Sequence, residues 1–160
     1  MAKKNSPSEK KSGPATINNR RARFDYEILD TYEAGISLVG SEVKSVFLGR
    51  VNLTDGYCRV INGEVFLLEA DIEPYDQSSH FLPERRRDRK LLLHKKEIDL
   101  IHRRSQEKGL AVIPLKMYFK NGKVKVEIGL GRGKRQYDKR QQIAEKETRR
   151  EQERMRSERL

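Results

Sequence analysis

The side chains best suited to chemistry are few and scattered. His80, His94 and His102 are the histidines of this 160-residue chain, and Cys58 is its single cysteine. His94 and His102 lie eight residues apart on a predicted helix, too far to ligate one metal together, and no carboxylate or thiolate spacing completes a site. One cysteine permits neither an internal disulfide nor a thiolate cluster. The run Gly129-Leu-Gly-Arg-Gly-Lys134 is glycine-rich but lacks the spacing and following Ser/Thr of a phosphate loop, and reads as a strand end with a hinge. There is no nucleophile elbow, no pair of catalytic carboxylates, and no Cys/His arrangement. Acid–base cleavage of RNA by a His/Lys/Glu set is chemically conceivable, yet no local motif supports it. The expectation is a binding protein, not an enzyme, with no catalytic residues, no metal and no cofactor.

What the chain does have in quantity is positive charge. Thirty-five Lys/Arg against 24 Asp/Glu give a net charge of +11, and the signs are segregated. Residues 1–23 sum to +6, 24–83 to −8, 84–96 to +5, 97–130 to +3, 131–140 to +4 and 141–160 to +1. Basic blocks around an acidic stretch predict a two-faced body with positive surfaces for a polyanion. No basic segment also carries a Trp/Phe/Leu face at helical spacing, so nucleic acid is favoured over a membrane surface. Arg20, Arg21, Arg23, Arg89, Lys90, Lys123 and Lys125 are the candidates to neutralise phosphates, the contribution that dominates such affinities. Tyr26, Tyr57, Tyr75 and Tyr118 are stacking platforms or barrel-packing aromatics, the latter favoured for Tyr26 and Tyr118. Glu33 is out of place on a phosphate surface. It accepts hydrogen bonds from base edges or sugar hydroxyls, or sits in a solvated turn.

These groups need a scaffold, and the hydropathy pattern supplies one. Residues 1–16, rich in Lys, Ser, Pro and Gly, read as a disordered basic arm. Phe24, Tyr26 and Ile28 alternate with Asp25 and Glu27, which predicts a strand. A turn over 30–34 and a short strand over 35–38 follow. Residues 40–49 predict a short helix, with Ser41 as cap and Val43, Val46 and Phe47 on one face. Asn62-Gly63 and Asn121-Gly122 each separate two strand-like runs and mark hairpins. Residues 74–89 read as an exposed loop ending in a basic cluster, and 94–108 as a helix stopped by Gly109. In the last strand Val124, Val126, Ile128 and Leu130 point one way, with Lys123, Lys125 and Glu127 opposite.

About six short strands, two hairpins and two or three helices over residues 17–130 suit a mainly β fold: a small antiparallel barrel of the OB type. After Leu130 the core signal stops. Residues 131–160 form a charged tail with no buried face, so a helix there is marginal in water and needs a partner's surface. No apolar run approaches the roughly 18–20 residues of a membrane span, and no apolar segment follows the charged N-terminus as in a secretory signal. The expectation is a soluble cytoplasmic protein.

Several long segments, in order, resemble the small protein B (SsrA-binding protein) family. They are 15–26 (ATINNRRARFDY), 32–36 (YEAGI), 40–45 (GSEVKS), 89–98 (RKLLLHKKEI) and 131–140 (GRGKRQYDKR). The resemblance implies an OB-type barrel that binds the tRNA-like domain of transfer-messenger RNA and delivers it to stalled ribosomes, in the process called trans-translation. It implies no catalysis and no cofactor; the chain is expected to be a monomer. By position it places Glu33, Leu92 and Lys125 in RNA binding. It assigns Gly133, Lys134, Arg135, Tyr137, Asp138, Lys139 and Arg140 to a tail that becomes helical in the empty message channel, at the decoding centre. Tyr137 stands where some members carry histidine. The competing readings are a general single-strand-binding OB protein or ribosomal accessory factor, and a nuclease.

Overall fold

The structure is a computed structural model that describes residues 13–76 and 82–158, with the backbone alone at 136–138. The basic arm up to residue 12, loop residues 77–81 with His80, and the side chains of Tyr137 and Asp138 lie outside the described residues.

The chain opens with a two-residue strand, β1 (Ile17–Asn18), then a short helix, α1 (Arg20–Asp25). The alternation around Phe24 predicts a strand here, but Phe24 is helical and the strand starts two residues later. The cause is long-range. Asn19 is buried, and its side chain accepts the Ala22 N–H (3.3 Å) while donating to the carbonyls of Leu53 (3.2 Å) and Pro114 (2.9 Å). An Asn cap welded to the barrel starts a helix that local periodicity does not announce.

The second strand, β2 (Tyr26–Ile36), is continuous. The turn expected over 30–34 is replaced by a bulge between Ile28 and Asp30, because β2 pairs along its length with the last strand. Next comes α2 (Gly40–Phe47), capped from Val39 and not Ser41. The Glu42 carboxylate accepts the Val39 N–H at 3.1 Å. Then follow β3 (Val51–Asn52), β4 (Tyr57–Ile61), β5 (Glu64–Leu68), β6 (Asp71–Ile72) and β7 (Arg89–Leu92), which begins inside the segment expected to be loop. The helix α3 (Lys95–Ser105) lies within its expected span, and β8 (Leu110–Lys120) and β9 (Lys123–Gly133) form the second hairpin. In both hairpins Asn and Gly take positive φ (Asn62 50°, Gly63 75°; Asn121 51°, Gly122 73°), matching the right-handed twist of the flanking strands.

Six strands close a ring in the order β8-β4-β5-β7-β2-β9, with β9 returning to β8, every pairing antiparallel; β1 adds to the outside of β8, and β3 and β6 form a separate ribbon. This is the mainly β barrel that the hydropathy pattern predicts. Its interior is filled by Ala34, Val65, Leu67, Leu91, Met117, Val126 and Ile128, all essentially inaccessible, with Val46 of α2 and Ile101 of α3 packed into the same core. A smaller cluster of Ala22, Ile113 and Leu115 seats α1. Beyond Gly133 the chain forms α4 (Gln136–Glu158), 23 residues with exposed side chains along most of its length.

Candidate RNA interface

Antiparallel register decides which exposed side chains meet. On β8 and β9, Tyr118 faces Lys125 and Lys120 faces Lys123; Lys125 in turn faces Gly35 of β2, and Gly35 faces Leu92 of β7. One row, Tyr118–Lys125–Gly35–Leu92, therefore crosses four strands on the outer surface. Gly35 leaves the room that Leu92 occupies, since a Cβ there would stand 3.2 Å from Leu92 Cβ. Leu92 is 55% exposed, two residues from Lys90 and so on the same face of β7. The row runs along a groove of about 330 Å³ whose lining includes Gly35, Leu38, Val43, Leu92, Lys123 and Lys125.

Glu33 stands next to this row, not in a turn. Its carboxylate accepts the Tyr118 hydroxyl and the Lys120 ammonium (3.2 and 3.4 Å to the two oxygens). The Tyr118 hydrogen bond, followed by that from Lys120, holds the Glu33 carboxyl below the usual carboxylate range. Partial burial, then the bond to Glu33, pushes the Tyr118 phenol up to about 12, so it stays protonated and donating at any physiological pH. Lys116 packs over the Tyr118 ring, 5.4 Å from its centroid, and pairs with Glu127 at 3.2 Å. Lys116, Tyr118 and Lys120 were legible as an alternating polar stripe along a strand. What the sequence withheld was that the stripe ends on Glu33.

The other expected phosphate ligands fall in three places. Lys90 is exposed and pairs with Glu64 at 2.9 Å, on the strand that carries Leu92. Arg20, Arg21 and Arg23 sit on α1, away from the Glu33 row, with Arg21 paired to Asp25 at 3.2 Å. Arg89 requires a correction. It is 0% exposed, and its guanidinium donates to Glu42 (2.7 Å) and to the carbonyls of Ala70 (2.9 Å), Arg87 (3.2 Å) and Arg85 (2.9 Å). With its donors turned inward it cannot reach a phosphate; it is a structural cation. The neighbouring arginines also spend charge on the acidic stretch: Arg85 on Asp71, Arg86 on Asp55 and Glu69, and Arg87 on Glu42. The basic block over 84–96 is thus less positive at the surface than its composition implies.

The hinge residues cluster at the end of β9. Gly133 faces Tyr26, the Lys134 N–H donates to the Asp25 carbonyl (2.9 Å), and its ammonium donates to the Arg23 carbonyl (3.0 Å). Lys139 pairs with Asp25 at 3.0 Å and lies 5.9 Å from the Phe24 ring centroid. Arg135 and Arg140 are exposed. Most of the exposed candidate residues thus fall in two places, the Glu33 row on the barrel and the junction of α1 with the start of α4. Among the described residues no helix is long and apolar enough to cross a membrane.

Comparison with known proteins places this geometry in context. The family model described as SmpB protein matches residues 16–158. The SsrA-binding protein of Rubrobacter xylanophilus is 56% identical over 142 residues, covering 89% of this chain and 95% of that protein. That of Syntrophobacter fumaroxidans is 51% identical over 156 residues, covering 98% and 97%. A solved chain from work described as "tmRNA-SmpB: a journey to the center of the bacterial ribosome" is 46% identical, with a TM-score of 0.66 over 80% of this chain and 94% of that one.

Proposed function

The chain belongs to the SmpB family of SsrA-binding proteins, and from that premise we propose that it is a cytoplasmic RNA-binding adaptor for ribosome rescue. It binds the tRNA-like domain of transfer-messenger RNA (SsrA) and brings it to stalled ribosomes, working by binding and without turnover. The observation that carries the RNA-binding half is the four-strand row of Tyr118, Lys125, Gly35 and Leu92 beside an anchored Glu33. Lys123, Lys125 and Lys90 neutralise phosphates on this face, which matches a folded RNA by shape and backbone charge. Leu92 adds apolar contact. Glu33, its carboxylate held from one side by Tyr118 and Lys120, presents its remaining lone pairs to ribose hydroxyls or base-edge amines.

The tail carries the second half. Gly133 ends β9 as the joint to the tail, Lys134 and Arg135 lead into α4, and Tyr137, Asp138, Lys139 and Arg140 lie in its opening turns. Exposed along most of its length, α4 is only marginally stable as a helix in the free protein and is held helical in an empty message channel lined with RNA, where charge-assisted contacts supply the surface that an isolated helix lacks. Folding on arrival costs free energy, so engagement is sensitive to whether the channel is vacant.

Gel-shift competition tests the first half: binding to the tRNA-like RNA survives excess oligo-pyrimidine. Equal competition instead identifies a general single-strand-binding protein. For the second half, a triple variant (Asp138→Ala, Lys139→Ala, Arg140→Ala) retains RNA affinity and loses peptide tagging in a reconstituted translation reaction. A large loss of RNA affinity in that variant rejects the division of labour.

A further inference from the structure

The helices α1 and α4 enclose a cleft of about 420 Å³ that the barrel face does not use. Arg20 and Arg23 line it from α1, and Lys146 and Arg150 line it from α4. Phe24 and Ile143 supply its apolar surface, and Glu147 is the carboxylate among the lining residues. Four cations against one anion leave a surplus of three positive charges between two facing helices. Among the described residues none of the four cations has an ion-pair partner, whereas Arg149 on another side of α4 pairs with Glu153 at 3.6 Å. The base of the helix is fastened independently, through Lys134 to the Arg23 carbonyl and Lys139 to Asp25. The helix is therefore pinned at its root and opposed by like charge further out, where the cleft lies.

We propose that this cleft is a second RNA site, distinct from the barrel face, which grips a single RNA strand between α1 and α4. Lys146 and Arg150, one turn apart and about 6 Å along the helix axis, approach the backbone from one side, with Arg20 and Arg23 opposite. Guanidinium groups suit phosphate oxygens bidentately, and Phe24 offers a ring on which a base or sugar lies. An acidic peptide would satisfy the charge but would leave the aromatic surface without a planar partner, so RNA is the better match. A bound polyanion offsets the repulsion between the facing cations and tightens α4 against α1 beyond its pinned root. The proposal rests on the adaptor reading only in taking the polyanion to be RNA.

The chain contains no tryptophan, so Phe24→Trp places a unique fluorophore in the cleft of the full-length protein. Titration with a 12-nucleotide uridine RNA is expected to give a saturable change in Trp emission, weakened at least tenfold by Lys146→Glu with Arg150→Glu. Without RNA, the same double variant, now facing Arg20 and Arg23 with carboxylates, is expected to raise helicity by far-UV circular dichroism. That second measurement needs no Trp and stands even where Phe24→Trp fails to fold. An emission change absent while anisotropy shows the RNA bound, an equal change with polyglutamate or inorganic phosphate, or unchanged helicity in the double variant would each overturn the site. Lys123→Glu with Lys125→Glu separates the two readings: it abolishes binding to the tRNA-like RNA by the barrel face without moving the Trp response.

Discussion

Replacing Glu42 by glutamine keeps the size of the side chain and removes one negative charge from a site that is 2% exposed. In the wild type its carboxylate receives Arg89 at 2.7 Å, both Nε (3.2 Å) and Nη2 of Arg87, and the Val39 N–H at 3.1 Å. Burial is the largest single influence and opposes ionisation. The bonds from Arg87, Val39 and Arg89 outweigh it together and hold the Glu42 carboxyl below the usual range. In E42Q the Arg89 guanidinium keeps its three carbonyl acceptors but stays fully buried without a counter-charge. Breaking a buried pair from one side costs about 3–5 kcal/mol, a fall in Tm of roughly 10–20 °C for a domain near 100 residues. Arg89→Met should cost less, because burying a shape-matched apolar group relieves the desolvation of the cation, although Glu42 then relies on Arg87 and the Val39 N–H. Urea denaturation followed by circular dichroism measures both. The pH dependence follows from the lowered pKa. Glu42 contributes stability above its unfolded-state value of about 4.3, and this is lost as pH falls toward the lower folded value. E42Q has no such group and declines less steeply in acid. RNA affinity, measured well below either Tm, is expected to be unchanged by Arg89→Met. An E42Q variant within 1 kcal/mol of wild type, or an Arg89→Met variant of normal stability that no longer binds RNA, would refute the structural role assigned to this pair.

Other perturbations have equally direct outcomes. Tyr118→Phe removes one donor from Glu33, so NMR should show the Glu33 carboxyl titrating at higher pH than in the wild type, with several-fold weaker binding to the tRNA-like RNA and an unchanged fold; an unmoved Glu33 titration contradicts the anchoring geometry. Gly129→Ala places a Cβ 2.9 Å from Leu115 Cδ1 and 3.2 Å from Ile28 Cγ2 in a filled region, an overpacking cost of about 1–3 kcal/mol readable as a lower urea midpoint. Cys58 is buried, and burial pushes its thiol far up, so it should resist a thiol reagent at pH 8 in the native protein and react as urea unfolds the barrel.

Periodicity along a single strand suffices to identify β9, because one face of it must be buried and the other wet: Val124, Val126, Ile128 and Leu130 are interior while Lys123 is exposed. The two Asn-Gly turns are equally local, since positive φ at both central positions restricts which residues serve. The motif resemblance also lies wholly in the sequence, and with it the family. The tail could be recognised as coreless because no apolar stripe runs through residues 141–160.

Other features depend on partners far away in the chain. The strand β2 survives an expected turn because it pairs with β9, about a hundred residues later, and α1 exists because Asn19 is tied to carbonyls at 53 and 114. Arg89 looks like its neighbours Arg86 and Lys90 in sequence; β7 pairing alone turns it inward toward Glu42, 47 positions earlier. Leu92 and Lys125 flank Gly35, two residues beyond Glu33 on β2, for the same reason, as register across four strands is a property of the closed ring and not of any one segment. Local sequence sets which backbone shapes are cheap and which residues prefer burial. Which charges end up paired, buried or presented to RNA is decided by contacts between distant segments, and these exist only once the barrel has closed.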